Sequence, residues 1–498
     1  MNEAEVSGAR AAVERFLQSA RKPALLEPGE DLIPLNEGSF VLEMRQSRLT
    51  LQAWDEKRNI VRRIVGVHSE RSGKLELVVE KFARREGRVA LVDLAHPQRR
   101  EWERRGTRLV FRERLRELLA RQFPDYTAAE LSAEPNLEHS LSPVYPRALL
   151  KRGQSALAAI LAPPEADPAA MLSFGLIWLD YLRRRTQRTP RPLVVEGLAL
   201  FAPAGRERDL ALRMRFLDGA AARFELFSYE EHGYAARRDL ADCGNVETKL
   251  DPCRRPPQAN AHMERLSQLP DVQIVENGDE SASLRVRGIE FARTAGRELL
   301  FGLGHRAAVR DYNLQEVETL AAEIAALRAP HAANRENPLY RGQPESWLEA
   351  LVRADIERVD ASLRRTPLYG QVPAMAGMER GVMDLLAVDH AGRLAVLELK
   401  ASADLHLPLQ ALDYWLRVEW HRARGDFGES GYFPGIALLP APPRLLLVSP
   451  ALEFHSTTEA ILSYFAPQIP VERIGLGMNW RSGLEVMFRA PSSQRPDR

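Results

Sequence analysis

The stretch GVMDLLAVDHAGRLAVLELKA (381–401) is two apolar runs of strand-like residues, 381–389 and 393–401, joined by His390-Ala391-Gly392. A short connection containing glycine between two such runs predicts a β-hairpin. If Asp389 pairs with Arg393 across the turn, Asp384 falls opposite Glu398. Successive side chains on a strand alternate between faces, so Lys400 shares the face of Glu398. Three charged groups then converge on one face of an otherwise apolar hairpin. A slip of one residue in the pairing would separate them.

Charges on central strands are costly unless they are paired or bind a metal. Two adjacent carboxylates repel, and one of them tends to keep a proton. A divalent cation removes that conflict, and hard oxygen ligands select Mg²⁺ or Mn²⁺ over softer metals. Lys400 beside them can orient water or stabilise negative charge developing on phosphorus. The alternative for Glu398 and Lys400 is an edge-strand ion pair facing water.

Upstream, ESWLEALVRADIERVDASLRR (345–365) places Trp347, Leu348, Leu351, Val352, Ile356, Val359 and Leu363 at near-helical spacing, which predicts one amphipathic helix. PLYGQVPAM (367–375) reads as extended. Downstream, LPLQALDYWLRVEWH (407–421) predicts a helix with Pro408 in its first turn. Asp384, thirteen residues, then Glu398-Leu399-Lys400, between an acidic helix and a helix carrying Gln410, resembles the PD-(D/E)xK nuclease superfamily. The flavour is that of archaeal-type resolvases and RecB-like nucleases. The resemblance covers about residues 340–450.

That resemblance implies a central mixed sheet flanked by helices, restriction-endonuclease-like, and Mg²⁺-dependent (or Mn²⁺-dependent) hydrolysis of DNA phosphodiesters, with RNA not excluded. It implies that Asp384 and Glu398 bind metal, that the carbonyl of Leu399 is a further ligand, and that Lys400 positions the nucleophile. It assigns Gln410 to the site and an acid on the upstream helix to the metal, Glu349 first and Glu345 second. Met383 stands where the pattern has Pro. A homodimer is the form such a fold takes when two strands must be cut.

Tyr369, Gln371, Arg364 and Arg365 are the candidate substrate contacts, against the alternative of a solvated loop and helix end. The run Arg183-Arg184-Arg185 with Arg188 and Arg191 has the same two readings. His390 and His406 have no partner at metal-ligand spacing and are expected at the surface. Tyr414, Trp415 and Trp420 fit a helix core better than a base-stacking platform.

Over the whole chain, 498 residues exceed one ordinary core and suggest several packed units. Hydrophobic residues at 45% and charged residues at 28% fit a globular, non-membrane α/β (multidomain α+β) protein. With 69 Lys+Arg against 68 Asp+Glu, any nucleic-acid surface must be a local patch. Two cysteines, Cys243 and Cys253, form neither a disulfide framework nor a zinc motif, and a reducing cytoplasm is expected. No signal peptide is visible at the start of the sequence. No Walker loop, G-x-S-x-G elbow or HExxH appears.

The expected units are a β-rich one over 1–100, an α/β one over 101–245, a small α+β one with a linker over 246–335, and the nuclease-like one over 336–498. In the first, period-two runs follow a helix over 3–20; in the second, 96–108 is a linker or a helix start. The stretch 245–262 reads as a boundary and 331–346 as the last linker. Residues 107–230 repeat the element order of the last unit without Glu-x-Lys, with ALAAILAPP (156–164) matching LAVLELKAS (394–402), and LDYLRRR then VVEGLALFAPA matching LDYWLRV then YFPGIALLPAP. This suggests a second nuclease-like fold without a metal site. The competing function is a catalytically silent nuclease-fold protein acting as a nucleic-acid-binding or scaffolding module.

Overall fold

A computed structural model describes residues 3–26, 33–35, 40–45, 48–54, 59–71, 73–81, 85–93, 99–230, 234–243, 248–253, 261–276, 281–376 and 379–492. The protein is a multidomain α/β fold whose described residues form four sheets. The first is antiparallel. Strands Pro23–Leu26 (β1), Ile33–Pro34 (β2), Phe40–Arg45 (β3), Arg48–Trp54 (β4), Asn59–Arg71 (β5), Lys74–Lys81 (β6) and Arg85–Asp93 (β7) lie in the order β2-β1-β7-β6-β5-β4-β3. Helix Glu3–Ser19 (α1) covers one face, burying Ala9, Ala12, Val13 and Phe16 against Leu49, Leu51, Leu75 and Leu77.

The second unit begins with helix Arg99–Gln122 (α2), so most of the Arg-rich stretch 96–108 is helix rather than linker. Strands Thr127–Ser132 (β8), Arg147–Arg152 (β9) and Ser155–Leu161 (β10) are followed by helix Pro168–Gln187 (α3). Strand Val194–Pro203 (β11), helix Arg208–Met214 (α4) and strands Arg223–Tyr229 (β12) and Ala235–Arg238 (β13) complete it. Pro168 at the start of α3 and Asp167, whose side chain accepts from the N–H groups of Ala169 and Ala170, fix where that helix begins.

The third unit contains helix Ala261–Ser267 (α5) and helix Leu314–Leu327 (α6). Its antiparallel strands are Val272–Glu276 (β14), Ala282–Val286 (β15), Ile289–Ala295 (β16), Glu298–Phe301 (β17) and Ala307–Ala308 (β18). The segment read as the last linker is ordered: helix Pro338–Arg341 (α7) lies in it, and buried Tyr340 stacks edge-on against Trp347. Arg328, fully buried, donates to the carbonyls of Leu339, Gly342 and Gln343 and lies over the Trp347 ring, tying the third unit to the fourth. The stretch read as an earlier boundary also packs in its described part. Thr248 bonds His421, and the Cys253 N–H donates to Ser430.

The fourth unit runs helix Pro344–Ala354 (α8), strands Tyr369–Ala376 (β19), Glu379–Val388 (β20) and Leu394–Leu399 (β21), then helix Leu407–Arg424 (α9). A short helix Asp426–Glu429 (α10), strand Arg444–Pro450 (β22), helix Thr458–Leu462 (α11) and strands Val471–Leu476 (β23) and Val486–Pro491 (β24) follow. The helix expected over 345–365 stops at Asp355 (φ −150°, ψ 71°), and a 3-10 turn takes over at Ile356–Arg358. Ile356, Val359 and Leu363 are still buried, so the apolar periodicity persists where the helical backbone does not. Short polar side chains such as Asp compete with helical backbone bonding, and periodicity alone does not reveal that.

The second and fourth sheets have one topology. Each has six strands in sequence order across the sheet, β8 to β13 and β19 to β24. Both pair antiparallel, antiparallel, parallel, parallel, antiparallel along that order. In each, the long helix follows the third strand. The match of 156–164 with 394–402 is therefore structural. The later match fails: the counterpart of β11 is β22 at Arg444–Pro450, whereas 431–443 is irregular.

Candidate functional site

The hairpin forms in the register that the turn implied. Leu385 pairs with Leu397 and Val388 with Leu394, and the Asp389 N–H donates to the Arg393 carbonyl. The turn has local causes. The Asp389 carboxylate accepts from the N–H groups of Ala391 (3.0 Å) and Arg393 (2.8 Å). Gly392 adopts φ +93°, which a side chain would oppose. Asp389 is thus a turn former and stands apart from the acidic centre.

One step past the last paired residues, Asp384 comes opposite Glu398. Here the ladder opens and the Leu399 N–H donates to Asp384 Oδ2 at 2.8 Å. Odd-numbered Leu385, Leu397 and Leu399 face the cluster under α8; even-numbered Leu386, Val388, Leu394 and Val396 face the cluster that holds α9. Asp384 and Glu398 belong by parity to the α9 face. Lys400 Nζ lies 3.8 Å from Glu398 and 3.5 Å from Asp404, a loose ion pair with each.

Electrostatics separates these acids from Asp360, another acid of the unit. Asp360 is also buried, yet hydrogen bonds from Ser362, Arg489 and Arg444 outweigh its burial and hold its carboxyl well below the usual range. Asp384 is pushed up to about 6, first by burial and then by the fields of Glu349 and Glu345, against the Leu399 N–H and Lys400. Glu398, 3% exposed, is pushed well above its ordinary value by burial and then by Asp384. Its Oε2 is buried with no hydrogen-bond partner. Asp360 is a completed ion pair; Glu398 is an acceptor still lacking its donor.

Glu349 on α8 is buried and accepts from Arg353 Nε at 2.8 Å. The Arg353 guanidinium lies against Gly370, where an added Cβ would sit 1.2 Å from its terminal nitrogen. Gln273 on β14 of the third unit donates to the Ala350 carbonyl, next to Glu349, at 2.9 Å, and Arg285 on β15 feels the field of Glu349, so that unit reaches the edge of the site. From α9, Gln410, Asp413, Tyr414 and Arg417 share one face at helical spacing. Gln410 Oε1 and Arg417 have buried polar atoms without partners. The Tyr414 hydroxyl is pushed up by burial and then by the fields of Glu398 and Asp384.

The remaining candidates lie elsewhere. Arg364 donates to the carbonyls of Asp389 and His390, and Arg365 pairs with Glu357 at 2.6 Å. Both sit at the turn end of the hairpin, roughly 15–20 Å along the strand from Asp384 at ~3.3 Å per residue. Tyr369 is no solvated loop residue. It packs edge-on against Tyr432 and Phe433, its hydroxyl accepts from the Phe433 N–H, and burial pushes it up to about 12. Gln371 falls in β19, and its side chain lies outside the described residues. His390 is exposed as expected, but His406 is not a surface residue: it bonds Ser173 at 3.1 Å and packs on Phe174. Trp415 is core, with its indole N–H on the Pro443 carbonyl, and Trp420 is half-buried under Arg424. Arg183, Arg184 and Arg185 are engaged with Val195 and Ala221, Asp180, and Glu130 respectively. Neither Cys243 nor Cys253 is in a disulfide.

Tyr414, Arg417, Arg353 and Asp404 are site residues that the sequence motif does not single out. The spacing Gln410–Tyr414–Arg417 and the pair Glu349–Arg353 are the signals that could find them; Arg285, from another unit, has no local signal. Among the described residues no cluster of three or more His, Cys, Asp or Glu could by itself hold a metal, and no helix is long and apolar enough to cross a membrane. Neither the family models nor the curated proteins give a match to the chain.

Proposed function

We propose that the chain is a divalent-cation-dependent nuclease that hydrolyses DNA phosphodiester bonds, with its centre at Asp384, Glu398 and Lys400. The observation that carries this reading is the unsatisfied pair: a buried Glu398 and a half-buried Asp384 on one sheet face, one oxygen of Glu398 without a partner, and a loosely held lysine. Burying such a pair is costly without a cation between its members. The donor set fits Mg²⁺ or Mn²⁺: hard oxygens, few protein ligands and room for water. Asp384, Glu398 and the Leu399 carbonyl would hold the ion, with Glu349 alongside.

When bound, the cation supplies Lewis-acid polarisation of the phosphate and offsets its growing charge. Lys400 orients the attacking water and stabilises negative charge on the phosphoryl oxygens. Tyr414, kept protonated by its burial, donates from the α9 side, and the Gln410 amide fixes water or phosphate oxygen there. Arg417 adds positive charge at the same wall.

The test is incubation of plasmid, linear, branched and single-stranded DNA, and of RNA, with Mg²⁺, Mn²⁺ or EDTA, beside Lys400→Ala. Cleavage that needs the cation and is lost in a folded Lys400→Ala protein is expected. Cleavage that survives the substitution would refute the assignment. No cleavage, with equal nucleic-acid binding by both proteins, would favour a binding or scaffolding role.

A further inference from the structure

The second and fourth units are not only alike; they are paired. Leu217, three residues past α4, bridges Phe465, three residues past α11. The Asp218 N–H donates to the Tyr464 carbonyl at 2.8 Å, and the Ala466 N–H donates to the Phe216 carbonyl at 2.9 Å. These bonds exchange under a two-fold rotation. The helices repeat the exchange, with α4 packed on α9 and α11 on α3. One apolar core spans both units, from Leu172, Leu176 and Leu179 to Leu412 and Leu416. Arg213 of α4 closes the contact on Asp413 of α9 with two bonds, at 2.8 and 2.5 Å. Residue i meeting j while j meets i is the signature of an isologous dimer interface.

The two halves differ at the site. The ladders align Leu161 with Leu399, since the Ala162 N–H meets Phe201 as the Lys400 N–H meets Val448. Ile160 therefore stands where Glu398 does and Ala162 where Lys400 does. Arg147, paired with Ile160, stands where Asp384 does. Its guanidinium is buried, donates to the carbonyls of Glu134 and Ser142, and lies over Trp178. A fixed cation fills the Asp384 position, and an isoleucine fills that of Glu398.

We infer that the chain acts as a monomer built like a dimer, and that it breaks one strand of a duplex per encounter. This rests on the nuclease reading above. Duplex strands are related by two-fold axes, and a symmetric dimer uses that relation to set one centre on each strand. Here the middle unit already covers the pairing face, so a second copy cannot bring a second centre to it. Only one half carries acids at these two positions.

The experiment is light scattering on the full chain with and without a duplex, together with time courses on supercoiled plasmid in Mg²⁺ or Mn²⁺ at several protein concentrations. The expected result is the mass of one chain, relaxed circles as the main early product, linear DNA only later, and a rate first order in protein. A two-chain mass overturns the inference. So does linear DNA formed together with relaxed circles at a rate rising with the square of concentration. A single-chain mass with no bond broken on any DNA overturns the nuclease reading and the one-strand product, while supporting the covered pairing face.

Discussion

In the middle unit Arg147 stands opposite Ile160; in the C-terminal unit Asp384 stands opposite Glu398 at the same place in the same strand order. Both positions bury a charge. Arg147 donates from its two terminal nitrogens to carbonyls and lies over a tryptophan face, while its Nε is buried without a partner. Glu398 keeps an oxygen with no partner. The sheet tolerates either sign, so the fold itself does not dictate the chemistry. What separates the two is the chemistry of the group left over: a guanidinium already held by carbonyls and a ring in one half, a carboxylate oxygen beside a second acid in the other.

This contrast between the halves can be broken in several ways, beginning with the largest effect. Lys400→Ala should lower cleavage by at least ~10²–10³-fold, the usual cost of removing one group aimed at developing charge. Arg147→Ala should leave the cleavage rate as it is. An equal loss in both, measured on plasmid with circular dichroism as a folding control, would mean that the halves are chemically alike. Arg213→Ala leaves Asp413 facing Glu398 without its cation. Breaking a buried pair costs about 3–5 kcal/mol, and partial exposure of Asp413 reduces this to roughly 2–3 kcal/mol in urea unfolding. The double change Arg213→Met with Asp413→Leu should recover most of that loss.

Opposite signs are expected for two single changes in the equivalent sites. Arg147→Ala orphans two carbonyls and should cost about 1–3 kcal/mol. Glu398→Gln removes a repelled buried acid and should raise stability of the cation-free protein at neutral pH by about 1 kcal/mol. Two losses of similar size would show that Glu398 is already satisfied.

The pH dependence sharpens the same contrast. Asp384 has its folded value raised to about 6 from an ordinary value of 3.8. The fold thus favours its neutral form. The penalty is absent below about pH 4, grows as pH rises through 6, and is fully present above, at about 1.4 kcal/mol for each pH unit separating the folded from the unfolded value. Asp360, held low, behaves oppositely: its contribution is present above its ordinary value and is lost only in stronger acid. The stability gained on Asp384→Asn should therefore grow between pH 4 and 7 without divalent ions, and Mg²⁺ should reduce that gain at pH 7.5. A flat difference across that range would show that Asp384 carries no charge conflict.

The hairpin is legible in the sequence because its causes are local. Asp389 and Gly392 set the turn, the turn sets the register, and the register brings Asp384 to Glu398. α9 is legible from apolar spacing. The break at Asp355 is not, because Ile356, Val359 and Leu363 stay buried through a change of backbone that leaves the periodicity intact. Arg364, Arg365 and Tyr369 fall outside the site because nearness in sequence to Asp384 is not nearness in space: five residues of strand carry the turn away from the acids. His406 reads as exposed because its partner, Ser173, lies in another unit and leaves no mark on the residues around it.

By itself the sequence determined the multidomain α/β class, the strand register and the set Asp384, Glu398 and Lys400, since each follows from interactions within a few residues or across one turn. Only the tertiary structure decided the pairing of the two like units, the cover of Asp413 by Arg213, the approach of Arg285 to Glu349 and the Arg147 plug. Those depend on which apolar faces bury each other, and hydrophobic burial is non-directional: it drives faces together without recording in either segment which face it will meet.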